Sequence, residues 1–264
     1  MGYLEKKAEH IRASRLAPED AGGAIAMLRG RCRSMPAPPN FEAALTMGDT
    51  VTLLAEFKRR SPSAGNLAEH ADVTEMANLY RDAGARAISV LTDVEDFGGN
   101  LDDLRAVAEQ VPLPVLRKDF LVDELGLCEA RYCGAAAVLL IVRILDAGEV
   151  ESLLRVAKEM GLACLVEVHD ERELDVALVA GASVVGINNR DLERLTTDLA
   201  VTERLGSRAG KGVAIVSESG IRSPDDVKRM RDAGAHAVLV GEALLSASPS
   251  SRFELVQQLA GVQR

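Results

Sequence analysis

Gly134-Ala135-Ala136-Ala137-Val138-Leu139-Leu140-Ile141-Val142 carries the pattern that decides the fold: a Gly-Ala pair followed by an unbroken apolar run. The pair recurs as Gly84-Ala85, Gly181-Ala182 and Gly234-Ala235. Each follows a helix-like stretch and precedes a run: Ala87 to Leu91, Ser183 to Ile187 and Ala237 to Val240. Glycine takes the left-handed conformation that ends a helix without a Cβ penalty, so each pair reads as a helix cap and a turn into a buried strand. Gly161 before Leu162 to Val168 repeats the pattern without the alanine. Thr52 to Glu56, Pro114 to Lys118 and Val213 to Ser217 bring the set to eight runs. Their spacing is roughly 20 to 35 residues, about one βα unit each.

The intervals between runs look helical. In Gly148 to Met160, the side chains of Val150, Leu153, Leu154 and Ala157 share one face. Pro224 to Ala233 begins behind Ser223, an N-cap residue, with proline at the first helical position. Strands that are apolar throughout, rather than alternating, suit a parallel sheet covered by helices. Eight such units predict an α/β fold, a single (β/α)8 TIM barrel; a doubly wound open sheet is the alternative.

Residues 1–49 stand outside the repeat. Leu4 to Arg15 and Pro18 to Arg31 read as helices, Met35-Pro36-Ala37-Pro38-Pro39 as a stiff connector, and Asn40 as the cap of a short helix from Phe41 to Leu45. The segment is too short to hold a core alone. It is expected to pack on the barrel as an N-terminal helical extension, making residues 1–264 one domain.

Composition narrows the function. Of 264 residues, 47% are hydrophobic and none is Trp, so aliphatic side chains and alanine must fill the core. A net charge of -9 opposes nucleic-acid binding, which needs concentrated Lys and Arg, but leaves room for local donors that capture a small phosphate. Cys32, Cys128, Cys133 and Cys164 form no paired motif and read as free thiols of a reducing compartment. The N-terminus has no apolar signal core, and the longest purely apolar run is Ala135 to Val142. A cytoplasmic protein without membrane contact is expected. His10, His70, His169 and His236 are scattered, and no metal site is expected.

In a barrel, active residues gather at the C-terminal ends of the strands. Here those ends carry Glu56 and Lys58, Lys118 and Asp119, Glu167, Asn188 and Arg190, Glu218 and Ser219, and Gly241-Glu242. A structural ion-pair network is the plain alternative, but desolvating so many charges on one rim costs roughly several kcal/mol for each ion. A functional site is the better account. Ser219-Gly220 and Gly241-Glu242 can offer backbone N–H groups to a phosphate, with Glu242 to Leu245 as a short helix behind it and Ser61 to Gly65 closing from the other side.

Several segments together resemble the indole-3-glycerol-phosphate synthase family. They are Ala55 to Ser63 (AEFKRRSPS), Phe97-Gly98-Gly99, Pro114 to Phe120 (PVLRKDF), Leu165 to His169 (LVEVH), Gly186 to Leu192 (GINNRDL) and Ser217 to Ile221 (SESGI). The match runs in order from about residue 41 to the end, and its specificity lies in the set rather than in any one segment. The resemblance implies ring closure, decarboxylation and dehydration of 1-(2-carboxyphenylamino)-1-deoxyribulose 5-phosphate, with no cofactor. It implies Lys118 as the acid that protonates the ketone and Glu167 as the base in dehydration. Lys58 would reach both the phosphate and the leaving hydroxyl, and Glu56, Asn188 and Glu218 would position and polarise these groups. Arg190 with Asn188 would hold the carboxylate to be lost. Ser61, Ser219, Gly220, Gly241 and Glu242 fall at phosphate positions, and Phe97, Phe120, Leu139, Leu192 and Leu239 at the ring pocket.

The chemistry of the residues agrees. Ring closure puts negative charge on an oxygen and needs a proton donor, while dehydration needs an acid and a base. A lysine among three glutamates stays protonated for that task. The N-terminal extension, Phe57 and Glu124-Leu125-Gly126 depart from the family pattern without touching these residues. A phosphoribosylanthranilate isomerase would need a Cys/Asp pair that the predicted mouth lacks. A non-catalytic phosphate-binding scaffold is opposed by intact Lys118 and Glu167. The expected assembly is a monomer or weak homo-oligomer acting on a phosphorylated small molecule.

Overall fold

The repeated glycines close their helices as the pattern predicts. Gly84, Gly134, Gly181 and Gly234 have φ of 108°, 88°, 87° and 92°. The alanine after each donates its N–H to the carbonyl five residues back, as in Ala135 to Ala130 at 3.0 Å. This double-turn cap satisfies carbonyls that the helix end leaves open, then releases the chain directly into a strand. Gly161 does the same with φ 71°.

The structure is a computed structural model that describes residues 2–14, 18–191 and 196–264. Eight parallel strands close into a barrel: β1 (Thr52–Phe57), β2 (Ala87–Leu91), β3 (Val115–Lys118), β4 (Ala137–Ile141), β5 (Ala163–Val168), β6 (Val184–Asn188), β7 (Ala214–Glu218) and β8 (Ala237–Val240). Each pairs with its neighbour in sequence, and β8 returns to β1. This is the (β/α)8 TIM barrel; the open sheet is excluded by the β1–β8 pairing. Val142, expected in β4, instead begins a 3-10 turn, Val142–Ile144. Nearly every strand residue is buried on both faces, which is why the strands read as continuous apolar runs.

The N-terminal segment forms α1 (Tyr3–Ser14), α2 (Pro18–Arg33) and α3 (Phe41–Thr46), and Asn40 caps α3 by accepting from the Ala43 N–H. The expected end of α1 at Arg15 lies outside the described residues. Leu4 and Ala8 of α1, with Phe41 and Leu45 of α3, join the main core. α2 packs separately, Leu28 against Leu125 and Cys128, and Arg29 Nε donates to Glu124 at 2.6 Å. The Glu124-Leu125-Gly126 stretch therefore serves as the landing place for α2.

α1 is anchored at the barrel mouth by one buried cation. Lys7 is only 7% exposed and sits 2.8 Å from each of Asp93, Glu95 and Asp96, which flank or begin the short helix Val94–Phe97. Burial opposes its charge, but the three carboxylates outweigh it and hold its pKa above the ordinary lysine value. Lys7→Ala would leave Asp93 buried without its cation. We expect a loss of about 3 kcal/mol, the usual scale for breaking a buried pair, read as a lowered midpoint of urea unfolding. An unchanged midpoint would show that α1 is not held there.

Candidate active site

The innermost polar layer at the C-terminal mouth comes from the odd strands: Glu56 of β1, Lys118 of β3, Glu167 of β5 and Glu218 of β7. Alternate strands supply the layers of such a barrel, so four sequence-distant residues meet at one level. Lys118 Nζ stands 3.9 Å from Glu56 Oε2, 3.7 Å from Glu167 Oε2 and 3.6 Å from Glu218 Oε2. These near-equal, long distances attract the ammonium without using up its donors on one carboxylate. Lys58 Nζ, two residues along β1's exit, donates to Glu56 Oε1 at 2.6 Å.

Glycine makes this packing possible at two points. A Cβ on Gly186 of β6 would overlap Glu218 Oε1, and one on Gly241 would crowd Glu56 Oε1. Gly241, read from sequence as a phosphate contact, therefore also gives Glu56 its space.

The electrostatics follow from burial and proximity. Burial disfavours the Lys118 charge, but Glu167, Glu218 and Glu56 overcome it and raise its pKa. Burial would raise Glu56 as well, yet Lys58 and Lys118 bring it below the usual carboxylate range. Glu218 goes the other way. Burial and then the Glu167 charge push it up to about 8, against the pull of Lys118. Neither of its oxygens has a hydrogen-bond partner among the described residues.

Above this layer opens a cavity of about 390 Å³. One side is polar. Ser61, Ser219, Gly220, Gly241 and Glu242 line it, and the helix Glu242–Ser246 starts there as expected. Ser219 and Gly220 both take left-handed backbone, with φ of 68° and 84°. Asn189 clamps that turn: its Nδ2 donates to Ser217 Oγ and to the Ser219 carbonyl, and its Oδ1 accepts from Thr202. Arg190 spans the mouth, donating to Ser63 Oγ at 2.6 Å and to Glu242 Oε2 at 3.0 Å, while its Nε is buried with no hydrogen-bond partner among the described residues. Asn188 Nδ2 donates to Glu167 Oε1 at 3.2 Å, and its Oδ1 accepts the Arg190 backbone N–H.

The other side is apolar, lined by Phe97, Phe120, Leu139 and Leu239. Sequence reading missed Tyr3 here. It comes from α1, meets Phe120 edge-on at 6.4 Å between centroids and donates its hydroxyl to Asp96. Without a Trp, the extension still supplies an aromatic ring to the pocket. Nothing in the local pattern around Tyr3 signals this, because the contact spans more than a hundred residues. Of the site residues named from sequence, all but one line the cavity; Leu192 lies outside the described residues.

The family profile described as "Indole-3-glycerol phosphate synthase" matches residues 2–254. The chain belongs to the indole-3-glycerol phosphate synthase family. It is 42% identical to the indole-3-glycerol phosphate synthase of Chlorobaculum tepidum, over 95% of this chain and 96% of that protein. It is 49% identical to that of Opitutus terrae, over 81% and 83%, and 45% identical to that of Mycolicibacterium smegmatis, over 92% and 89%. Among solved structures, thiamine phosphate pyrophosphorylase from Pyrococcus furiosus superposes with a TM-score of 0.61 at 16% identity, covering 84% of this chain and 96% of that one. That likeness concerns the barrel alone.

The raised Glu218 yields a pH test. A carboxyl whose folded pKa exceeds its unfolded value favours folding only while protonated, so its ionisation erodes stability from about 4.5 up to about 8. Glu218→Gln removes that erosion. The difference in melting temperature, variant minus wild type, should grow as pH rises through this window and level off above it. A difference that is flat with pH would mean Glu218 ionises freely in the folded protein.

Proposed function

We infer that the chain performs the reaction of its family, converting 1-(2-carboxyphenylamino)-1-deoxyribulose 5-phosphate to indole-3-glycerol phosphate, carbon dioxide and water. The observation that carries this reading is the Lys118 ammonium, surrounded by three carboxylates at the floor of a cavity with one apolar and one anion-suited side.

That geometry supports the division of labour that the resemblance implies. The aromatic ring would lie among Phe97, Phe120, Leu139 and Leu239. The phosphate would lie at the Ser61, Ser219, Gly220 and Gly241 side, where the positive end of the helix Glu242–Ser246 points. Arg190 and Asn188 would hold the carboxylate. As the ring carbon attacks the ketone, Lys118 donates a proton to the developing alkoxide. Carbon dioxide then leaves, and its bonding pair restores aromaticity. Dehydration follows: the hydroxyl departs with a proton from a lysine, Lys58 or Lys118, and Glu167 removes the proton from the adjacent carbon. Glu56 stands beside both lysines, accepting from Lys58 and facing Lys118. Because the substrate enters as a carboxylate and leaves as carbon dioxide, the balance is one proton taken up per turnover.

We further propose that residues 1–264 fold as one unit and act in the cytoplasm as a monomer or weak homo-oligomer. All four cysteines are buried free thiols, and the exposed large apolar side chains, such as Met47 and Val179, are scattered. Among the described residues, no helix is long and apolar enough to cross a membrane.

Lys118→Met should lower kcat by ~10²–10⁴-fold with substrate affinity broadly kept, the range for losing a general acid. Turnover near the wild-type rate would remove Lys118 from this role. Inorganic phosphate should compete with substrate in the millimolar range; failure to compete at high millimolar levels would place the phosphate elsewhere.

A further inference from the structure

Behind Glu167 lies a polar chain that the reaction scheme leaves unused. His169 follows it on the strand exit and is 8% exposed. Its Nδ1 is 3.0 Å from Glu173 Oε2, which also accepts the His169 backbone N–H at 2.7 Å. Glu173, on the helix Glu171–Val179, accepts from Arg143 Nε at 2.6 Å through its other oxygen. Burial would raise the Glu173 pKa, but His169 and Arg143 lower it, so it is a fixed anion. Asp170 lies 3.6 Å from Arg143 Nη2 on the same side.

A carboxylate can only accept, so Nδ1 carries a hydrogen directed at Glu173. The opposite nitrogen, Nε2, is buried with no hydrogen-bond partner among the described residues, and Glu167 Oε1 stands 3.4 Å away. An unsatisfied buried nitrogen facing a carboxylate oxygen is costly unless a proton can lie between them. Oε1 also accepts from Asn188 Nδ2 at 3.2 Å, and on the far side of Glu167 Lys118 faces Oε2.

We propose that His169 is a positioning residue for Glu167 that also exchanges a proton with it. This rests on the reading of Glu167 as the base of the dehydration step. When Glu167 has taken the proton from carbon, its Oε1–H bond breaks and an Nε2–H bond forms on His169. The Nδ1–H still donates to Glu173, whose negative charge balances the new imidazolium. No electrons change hands, and Glu167 is again a base. The reverse transfer returns that proton to Glu167, beside the Lys118 group that has given one up. Glu173 and Arg143 fix the ring orientation, as an acidic residue behind a catalytic histidine does elsewhere.

The test uses two substitutions that separate contact from exchange. In His169→Asn, the amide can replace Nδ1 toward Glu173 but does not reach Glu167. In His169→Gln, the amide can reach Glu167 but cannot shuttle a proton. Both should lower kcat by roughly 10-fold or more, as for loss of a proton-transfer group, with KM within about twofold and melting temperature near that of the wild type. Full recovery of kcat in His169→Gln would show that the hydrogen bond alone matters and would overturn the exchange. Wild-type kcat in both variants with a lowered melting temperature would make His169 structural and overturn the proposal. Glu167→Gln is measured alongside. If it collapses turnover while both His169 variants are normal, the His169 proposal fails and the reading of Glu167 as the base stands. If it turns over normally, Glu167 is not the base, and the proposal falls with it.

Discussion

Three carboxylates share one ammonium at the top of the barrel, and this arrangement constrains much of what surrounds it. Glu56, Glu167 and Glu218 are almost wholly buried, and burying three anions together is costly unless a cation stands among them. Lys118 can do so because odd-numbered strands contribute to the same layer of a closed barrel. The packing then dictates its neighbours. Gly186 and Gly241 lack the Cβ atoms that would collide with Glu218 and Glu56. Asn188 satisfies Glu167, and Lys58 satisfies Glu56. Glu218 has no hydrogen-bond partner among the described residues, and its pKa is raised, the kind of perturbation found at functional sites.

The same charge pattern appears twice, for different purposes. Lys7 and Lys118 are both buried cations facing three carboxylates. Lys7 touches its partners at 2.8 Å, whereas Lys118 stays beyond 3.5 Å from each of its own. Direct contact consumes donors and fastens α1 to the barrel. Longer separation leaves donors free for an incoming oxygen. The anchor has a consequence at the pocket, because Lys7 lies 5.7 Å from the Phe120 ring centroid and Tyr3 packs on that ring's neighbourhood from the same helix. The extension thus adds a wall to the apolar side of the cavity.

Much of the fold was legible along the chain because its signals are local. A glycine needed at positive φ, an alanine that turns into a buried strand, and Ser223 or Asn40 at a helix start each act within a few residues. The rim residues were legible for a related reason: a polar side chain at the end of an apolar run stands out, and strand polarity puts all such ends at one mouth. Asn189 was visible in the Gly186 to Leu192 segment, but its service to the Ser219 turn was not, since that partner is on the next strand.

By itself, then, the sequence determined the succession of βα units, the end of the barrel at which the polar side chains gather, and the family. Only the tertiary structure decided which charges meet. Closure of β8 onto β1 brings Glu56 and Gly241 together, and the layering of alternate strands sets Lys118 between three glutamates. The delivery of Tyr3 to Phe120 and the alignment of Glu173, His169 and Glu167 likewise depend on how helices lie against strands. The physical reason is that a cap or a strand propensity is a property of neighbouring residues. A distance of three or four ångströms between remote side chains is fixed by the register and packing of the whole barrel.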